Sequence, residues 1–255
     1  CQARMANNLA EAKQMLAAAE AYPQQVQMIC PPPHRMPFEP YIRDMLASGK
    51  LGEITLVELY HSGGGNLDRN SISWREMVEY SGKQILAMGI CAETLNAWVG
   101  EYDTLSAFTA TPIPVKKDDK GNDVQIKIQQ VVTITGKLLS GALIVEHHSG
   151  LIADKTTPRN QVTIYGLKGT LRHTFLSNTI EYAPAGEELQ PVNVPAKLQR
   201  DWEVEQDFID AVRLAQQGRT WFVSPDFKEG LAYMRKVEAV HMAAASGHAV
   251  KLASL

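Results

Sequence analysis

The sequence predicts an α+β fold in which a mostly antiparallel β-sheet is covered on one face by helices. Strand-like runs separated by turn residues fill the middle of the chain, between residues 53 and 182. Helical periodicity is found near both ends and in one central stretch. Strands and helices do not alternate along the chain, which argues against a parallel α/β sheet. With 255 residues, 45% of them hydrophobic, the chain can bury a full core.

The first 33 residues predict one helix and one short strand. Asn8 is placed to cap a helix, and Glu11 follows three residues later, as in a capping box. Apolar residues then recur at helical spacing up to Pro23. Residues 26–30 form a short apolar run that predicts a strand, and the prolines at 31–33 end it because proline cannot donate to a sheet ladder.

The rest of the chain predicts four helices around a set of strands. Helices are expected from about Pro37 to Gly49, over residues 84–98 and over residues 204–212. The last helix starts at Ser224-Pro225-Asp226, with a side-chain cap followed by proline in the first turn. Strands are predicted over residues 53–60, 105–110, 124–136, 138–148, 161–165, 170–176 and 179–182.

Composition narrows the function classes. The formal net charge is −3 and the sequence pI is about 6.2, and no lysine–arginine run occurs, so nucleic acid is not an expected partner. No apolar run approaches the roughly 18 residues that would span a bilayer. Cys1, Cys30 and Cys91 form no CxxC pair, so neither a disulfide framework nor a metal site is expected. A reducing, cytoplasmic location is therefore expected. The start at Cys1 instead of methionine favours a fragment or a processed chain.

Four segments in order carry a family resemblance. The sequence CQARMA at residues 1–6 is similar to a C-E-K-P-M-A segment, and residues 81–91 are similar to G-G-x-x-L-x-D-x-G-x-H. Residues 162–171 match a sheet hairpin, and residues 224–231 match the start of a last helix. Together they resemble the glucose–fructose oxidoreductase, inositol dehydrogenase and MocA (Gfo/Idh/MocA) family.

The resemblance implies an organisation and an activity. Residues 1–33 would be the closing helix and strand of a truncated Rossmann domain, and residues 34–255 an α+β domain for substrate binding and oligomerisation. The implied activity is NAD(P)-dependent oxidoreduction of a sugar, a polyol or a related hydroxy compound. NAD or NADP is expected in the intact protein, but not in this chain alone, because no GxGxxG turn occurs in it. A small-molecule substrate and a homo-oligomer, a dimer or tetramer built through the sheet, are the expected partners.

The family's proton carriers do not carry over. The motif lysine falls on Ala3, the aspartate on Ala87, the histidine on Cys91, and a further acidic position on Thr94. A non-redox relative is therefore the alternative: a binding module, a pseudoenzyme or a lyase-like enzyme.

Two residues are the catalytic candidates. If Lys83, Ala87, Cys91 and Thr94 share a helix face, Lys83 and Cys91 could replace the missing acid–base groups. The alternative makes Lys83 a solvated first-turn residue and Cys91 a small buried hydrophobe.

Three residues are the substrate-binding candidates. Arg35 could hold a hydroxyl-rich or carboxylate ligand, or it could form a salt bridge at the junction. Trp74 could stack on a sugar ring or anchor the core. His148 lies on the same strand face as Glu146 and could support acid–base work, or it could be a hydrogen-bonded sheet histidine.

Overall fold

The computed structural model describes residues 1–154 and 160–255, and it confirms the α+β fold. The helices are α1 Leu9–Glu20, α2 Glu39–Ala47, α3 Val78–Ser81, α4 Met88–Val99, α5 Val204–Gln216 and α6 Phe227–Ser246. The strands are β1 Ile54–Ser62, β2 Tyr102–Ala110, β3 Val115–Lys117, β4 Asp123–Gln125, β5 Val131–Leu138, β6 Leu143–Ser149, β7 Asn160–Gly166, β8 Gly169–Thr174, β9 Thr179–Pro184, β10 Gln190–Pro191 and β11 Val250–Lys251. In the described ranges, no helix is long and apolar enough to cross a membrane.

Nine strands form one mixed sheet in the order β10-β9-β8-β7-β1-β6-β5-β2-β11. All neighbours pair antiparallel except β1 and β6, which run parallel. Strand β1 lies between β6 and β7, so segments far apart in sequence become neighbours in the middle of the sheet. The sheet is therefore mostly antiparallel, as the turn pattern predicts, but its central pairing is non-local.

The two faces of the sheet differ in chemistry. Along β5, Val132 and Ile134 are fully buried beneath the helical layer, whereas the alternate side chains are less buried. Helices α4 and α6 pack against each other, and α6 also packs on β2. The opposite face is polar or half-exposed, and it presents Phe108 and Leu143, which are 78% and 56% exposed. The helices thus cover one face, and the other is open.

The N-terminal segment packs on the helical layer. Met5, Leu9 and Ile29 form a buried cluster with Ala92 of α4 and Tyr233 of α6, and α1 lies along α6. Residues 26–30 do not form the predicted strand; Cys30 makes only an isolated parallel bridge with Gln2. The nearby amide of Ile29 donates to the carbonyl of Pro225, so no ladder forms along this run. Assignment of residues 1–33 to a nucleotide-binding domain stays a prediction.

Other boundaries move for local reasons. Helix α4 begins at Met88, not at residue 84, because Leu86 has φ +49°, which interrupts a helix. Gln84, which precedes the helix, accepts with its side chain from the amide of Gly89 in the first turn. In α6 the cap is Asp226 itself, and the proline precedes it. The predicted strand over residues 124–136 is two strands, β4 and β5, and the one over 138–148 starts only at Leu143.

A buried carboxylate ties α6 to the sheet. Lys236 Nζ lies 2.5 Å from Glu146 Oε1, the Tyr102 hydroxyl donates to the same oxygen, and His148 Nε2 lies 2.8 Å from Oε2. All four side chains are buried. Burial alone would raise the pKa of Glu146, but Lys236 and His148 hold it down at about 2. This charge-paired contact is stable above the ordinary carboxyl pKa of 4.5 and is lost as pH falls towards 2.

We expect Lys236→Met to destabilise the protein by about 3–5 kcal/mol, because it leaves the Glu146 charge buried without its cation. Denaturant unfolding at neutral pH measures the free energy of unfolding. The matched control is Lys251→Met, whose side chain is 66% exposed and 3.9 Å from Asp103, and which should change that free energy by about 1 kcal/mol at most. Equal effects of the two substitutions would contradict the central role of the Glu146 contact.

Candidate functional site

The linker before α2 crosses the C-terminal half of α4 at His34. His34 Nε2 lies 3.0 Å from Thr94 Oγ1, and the Thr94 hydroxyl donates to the Ile90 carbonyl at 3.2 Å. Since the threonine proton is used there, His34 Nε2 carries the proton in the contact, and Nδ1 keeps a free lone pair. The His34 ring also stacks on Phe175, with centroids 4.3 Å apart. In this arrangement the second nitrogen of His34 is a hydrogen-bond acceptor.

An open depression of about 410 Å³ lies beside His34. Its lining combines imidazole, amide and apolar side chains: Pro33, His34, Pro37, His61, Asn160, Phe175, Leu176 and Asn178. The neighbouring His173 is buried, makes edge contacts with Phe38 and Phe175, and has its Nε2 3.4 Å from Asn178 Oδ1. We call the depression with these lining residues the imidazole depression, and His173 lies just behind it. Apolar faces beside a few fixed polar atoms are typical of small-molecule sites.

Burial keeps the imidazoles of this region neutral. It lowers the pKa of His34 to about 3, helped by the neighbouring His173, and that of His61 to about 4, helped by His148. Burial also lowers the pKa of His173 to about 4, against the effect of its Asn178 contact. A neutral imidazole donates from one nitrogen and accepts at the other, which suits a hydroxyl ligand. In the part of the chain that the structure describes, no cluster of three metal-binding side chains occurs.

The Glu146 contact lies directly behind the depression. The His61 and His148 rings are 6.1 Å apart. Because ionised Glu146 can only accept, His148 donates from Nε2, and its buried Nδ1 has no hydrogen-bond partner among the described residues. His148 therefore supports the depression from the interior, although it does not line it.

The two catalytic candidates are not brought together. Lys83 lies in the turn before α4, not on the helix, and its Nζ pairs with Glu238 Oε1 at 2.6 Å. Cys91 is fully buried in the main core, where burial and the nearby Glu146 raise the pKa of its thiol far above the ordinary value. The prediction that Lys83 and Cys91 share one helix face is therefore wrong. Their catalytic roles stay predictions, and the burial of Cys91 argues against direct proton transfer by its thiol.

Two substrate-binding candidates have protein partners. Arg35 is 2% exposed, donates to both carboxylate oxygens of Glu39 at 2.9 and 2.7 Å, and also contacts Glu93. This is the geometry of the junction salt bridge. Trp74 is 47% exposed and lies beneath the guanidinium groups of Arg4 and Arg75. Neither residue lines the imidazole depression, and their roles in substrate binding stay predictions.

The residues of the depression carry no motif of their own. His61, Phe175 and Asn178 come from different strands and turns, and they meet only because β1 pairs with β7 and β7 with β8. The one local signal is His34, which directly follows the three prolines and precedes Arg35. Sequence reasoning selected the next residue of this linker, Arg35, whose charge is paired with Glu39 and Glu93 in the structure.

The sequence has no glycine-rich turn of the kind that holds a dinucleotide pyrophosphate. No GxGxxG turn joins a strand to a helix anywhere in the sequence. The one helix of the N-terminal segment, α1, starts at Asn8, whose side chain caps it and contacts Glu11, so a carboxylate occupies that positive end.

A family match decides the classification. The family model of the GFO/IDH/MocA C-terminal domain matches residues 41–172, which is half of the chain. The chain belongs to the Gfo/Idh/MocA family. The matched range contains α4, His61 and the central strands of the sheet, with Phe108 and Leu143 of its open face, and it ends one residue before His173. No curated protein sequence matches the chain.

Solved structures share this Gfo/Idh/MocA fold. An NAD-binding oxidoreductase from Klebsiella pneumoniae has 18% identity and a TM-score of 0.82, with 99% of this chain and 73% of that one covered. Levoglucosan dehydrogenase in complex with NADH and L-sorbose has 20% identity and a TM-score of 0.82, with 99% and 72% covered. A super-repressor mutant of Gal80p from Saccharomyces cerevisiae has 17% identity and a TM-score of 0.76, with 99% and 71% covered. At these identities the likeness shows the fold.

Acid should destabilise the protein through its neutral imidazoles. A buried histidine whose folded pKa is about 4 takes up its proton more readily when unfolded, so stability falls as pH decreases from 6.5 to about 4. We expect His173→Gln to flatten the dependence of the unfolding free energy on pH by up to about 1.4 kcal/mol per pH unit in that window. Urea unfolding at a series of pH values measures it.

The control for this pH dependence is His248→Gln at an exposed position, which should leave the slope unchanged. Glu93 acts in the opposite sense, because burial raises its pKa to about 7, so only the difference between variant and wild type isolates His173. An unchanged slope in the His173 variant would contradict neutral burial of that ring.

Proposed function

We propose that this chain is the substrate-binding and oligomerising part of an NAD(P)-dependent oxidoreductase that acts on a sugar, a polyol or a related hydroxy compound. The observation that carries the proposal is the His34–Thr94 contact at the imidazole depression. Thr94 stands at a position where the resemblance places an acidic residue. The levoglucosan dehydrogenase that shares the fold is crystallised with a sugar and NADH, which supports a hydroxylated ligand class here.

In this proposal His34 binds the substrate hydroxyl. The neutral ring offers Nδ1 as a hydrogen-bond acceptor, and because burial lowers its pKa to about 3, the ring orients the hydroxyl and does not hold its proton. When bound in the intact protein, a nicotinamide would supply the hydride chemistry. The Phe175 ring offers an apolar surface to the carbon side of the ligand, and Asn178 offers an amide. Ala3, Ala87 and Cys91 need no part in this arrangement.

We expect a sugar or polyol ligand to bind the chain, and His34→Gln to weaken that binding by about tenfold, because one ligand hydrogen bond and the ring stack are lost. Calorimetric titration with a panel of aldoses, anhydrosugars and polyols measures the affinity. His147→Gln is the matched control: His147 stacks on Tyr60 at 4.8 Å on the open sheet face, away from the depression. Equal affinities in the wild type and both variants would exclude the depression as the ligand site.

A non-redox relative is the second candidate. Its support is the replacement of all three family proton carriers together with the burial of Cys91, and the fold is also that of a Gal80p super-repressor mutant. Both candidates bind a ligand at the depression, but only the first couples it to a nicotinamide. An assay of the intact protein that monitors the reduction of NAD or NADP by absorbance, with the bound ligand as substrate, distinguishes the two candidates.

We also propose that the open sheet face joins copies of the chain. Phe108 of β2 lies opposite Thr133 of β5 on that face, and Leu143 follows on β6. Such a wide, partly apolar sheet face is typical of a protein contact surface.

We expect a dimer or tetramer in solution and expect Phe108→Glu to dissociate it, because a charge would be desolvated at the contact. Sedimentation velocity measures the mass. The matched control is Phe222→Glu, since Phe222 is 84% exposed but lies between α5 and α6. A monomeric wild type, or dissociation by both variants alike, would contradict assembly through the sheet.

A further inference from the structure

Two arginine side chains converge on the indole of Trp74, beside Ser81 of α3. The Arg75 Cζ atom lies 4.3 Å from the Trp74 ring centroid, and the Arg4 Cζ atom lies 5.9 Å from it. Trp74 is 47% exposed, so solvent reaches the cluster. Cation–π attraction holds both guanidinium groups over the ring.

The cluster is positioned by buried backbone. Arg4 Nη1 donates to the carbonyl of Ser81, a residue that is 1% exposed. The Ser81 hydroxyl in turn donates to the Trp74 carbonyl at 3.4 Å, and Ser73 and Glu76 form a capping box around the short helix that carries Trp74 and Arg75. These contacts fix Arg4 relative to the indole, although Arg4 and Trp74 are 70 positions apart in sequence.

The two charges have no counter-charge in the described ranges. No Asp or Glu oxygen there lies within ion-pair distance of either guanidinium. The nearest acidic residue in sequence, Glu76, pairs instead with buried Lys116 at 2.9 Å. Burial and the charge of Arg75 both lower the pKa of Arg4, as expected for two like charges held close together.

We propose that Arg4, Trp74 and Arg75 form a binding site for the oxyanion group, phosphate or carboxylate, of a small molecule. A guanidinium presents parallel N–H donors that match two oxygens of such a group. A bound anion would supply the negative charge that neither arginine finds among the described residues. The indole is already covered by guanidinium groups, so the site recognises charge and not the face of a sugar ring. It is separate from the imidazole depression, because it adjoins Ser81 before α4, whereas His34 contacts Thr94 in the second half of that helix.

The test is calorimetric titration at low ionic strength with inorganic phosphate, gluconate and glucose. Phosphate and gluconate are expected to bind and uncharged glucose is not expected to bind at this site. Arg4→Gln and Arg75→Gln should each weaken phosphate binding by roughly tenfold or more, since each removes a charged hydrogen-bond donor. Added salt should weaken it too, because these groups are exposed to solvent. Binding of phosphate but not gluconate would restrict the oxyanion to phosphate esters, and the reverse would restrict it to acids.

Three controls keep the result specific. Arg219→Gln removes an exposed arginine elsewhere and should leave the affinity for phosphate unchanged. Arg4→Lys keeps the positive charge but loses the paired N–H donors of the guanidinium, so its affinity should lie between those of the wild type and Arg4→Gln. Thermal unfolding shows whether each variant is folded. His34→Gln should not affect phosphate binding, so this proposal and the proposed function fail independently. The proposal is overturned if the wild type shows no saturable binding up to about 10 mM of either anion, or if the Arg4 and Arg75 variants bind as well as the wild type.

Discussion

The carboxylate of Glu146 is the contact on which the arrangement of helices over the sheet depends. It lies on a central strand and receives Lys236 from α6 and Tyr102 from β2, so three distant parts of the chain meet at one buried charge. A buried ion pair contributes little net stability by itself, but loss of one partner is expensive because the remaining charge has no water. The position of α6 on the sheet is therefore fixed by charge as well as by packing. Helix α4 packs on α6, so the positions of Thr94 and His34 follow from the same contact.

Burial has opposite chemical consequences at the two candidate types of proton carrier. It leaves the Cys91 thiol without access to solvent and raises its pKa. At neutral pH the thiol is therefore protonated at the position where the resemblance places a histidine. At the rim of the depression it lowers the pKa of His34 without removing it from the open space. A neutral hydrogen-bonding ring therefore lies beside Thr94, one helical turn from Cys91. The core of this fold is formed by the sheet and helices, whereas the depression is formed by linker and strand ends.

Two surfaces beside α3 and α4 offer different ligand chemistry. Next to Ser81 of α3, Arg4 and Arg75 present positive charge beside an exposed indole, and next to Thr94 of α4, His34 presents a neutral ring beside Phe175. Arg4 belongs to the N-terminal segment, which the buried contacts of Met5 and Ile29 hold against α4 and α6, and His34 follows that segment directly. The same short segment thereby shapes both sites.

The sequence by itself determined the fold class, the family and most helices and strands, because these depend on local signals. The Asn8 cap, the turn residues between strands and each of the four motifs are read within a short stretch of the chain. It also located the linker that carries His34. Only the tertiary structure decided which side chains meet there. Strand β1 pairs with β6 across 87 positions and with β7 across 99 to 112 positions, and this pairing brings His61 towards His148 and Phe175. Whether Arg35 is free or paired, and whether Cys91 is accessible or buried, likewise depends on packing between segments, which no local pattern records.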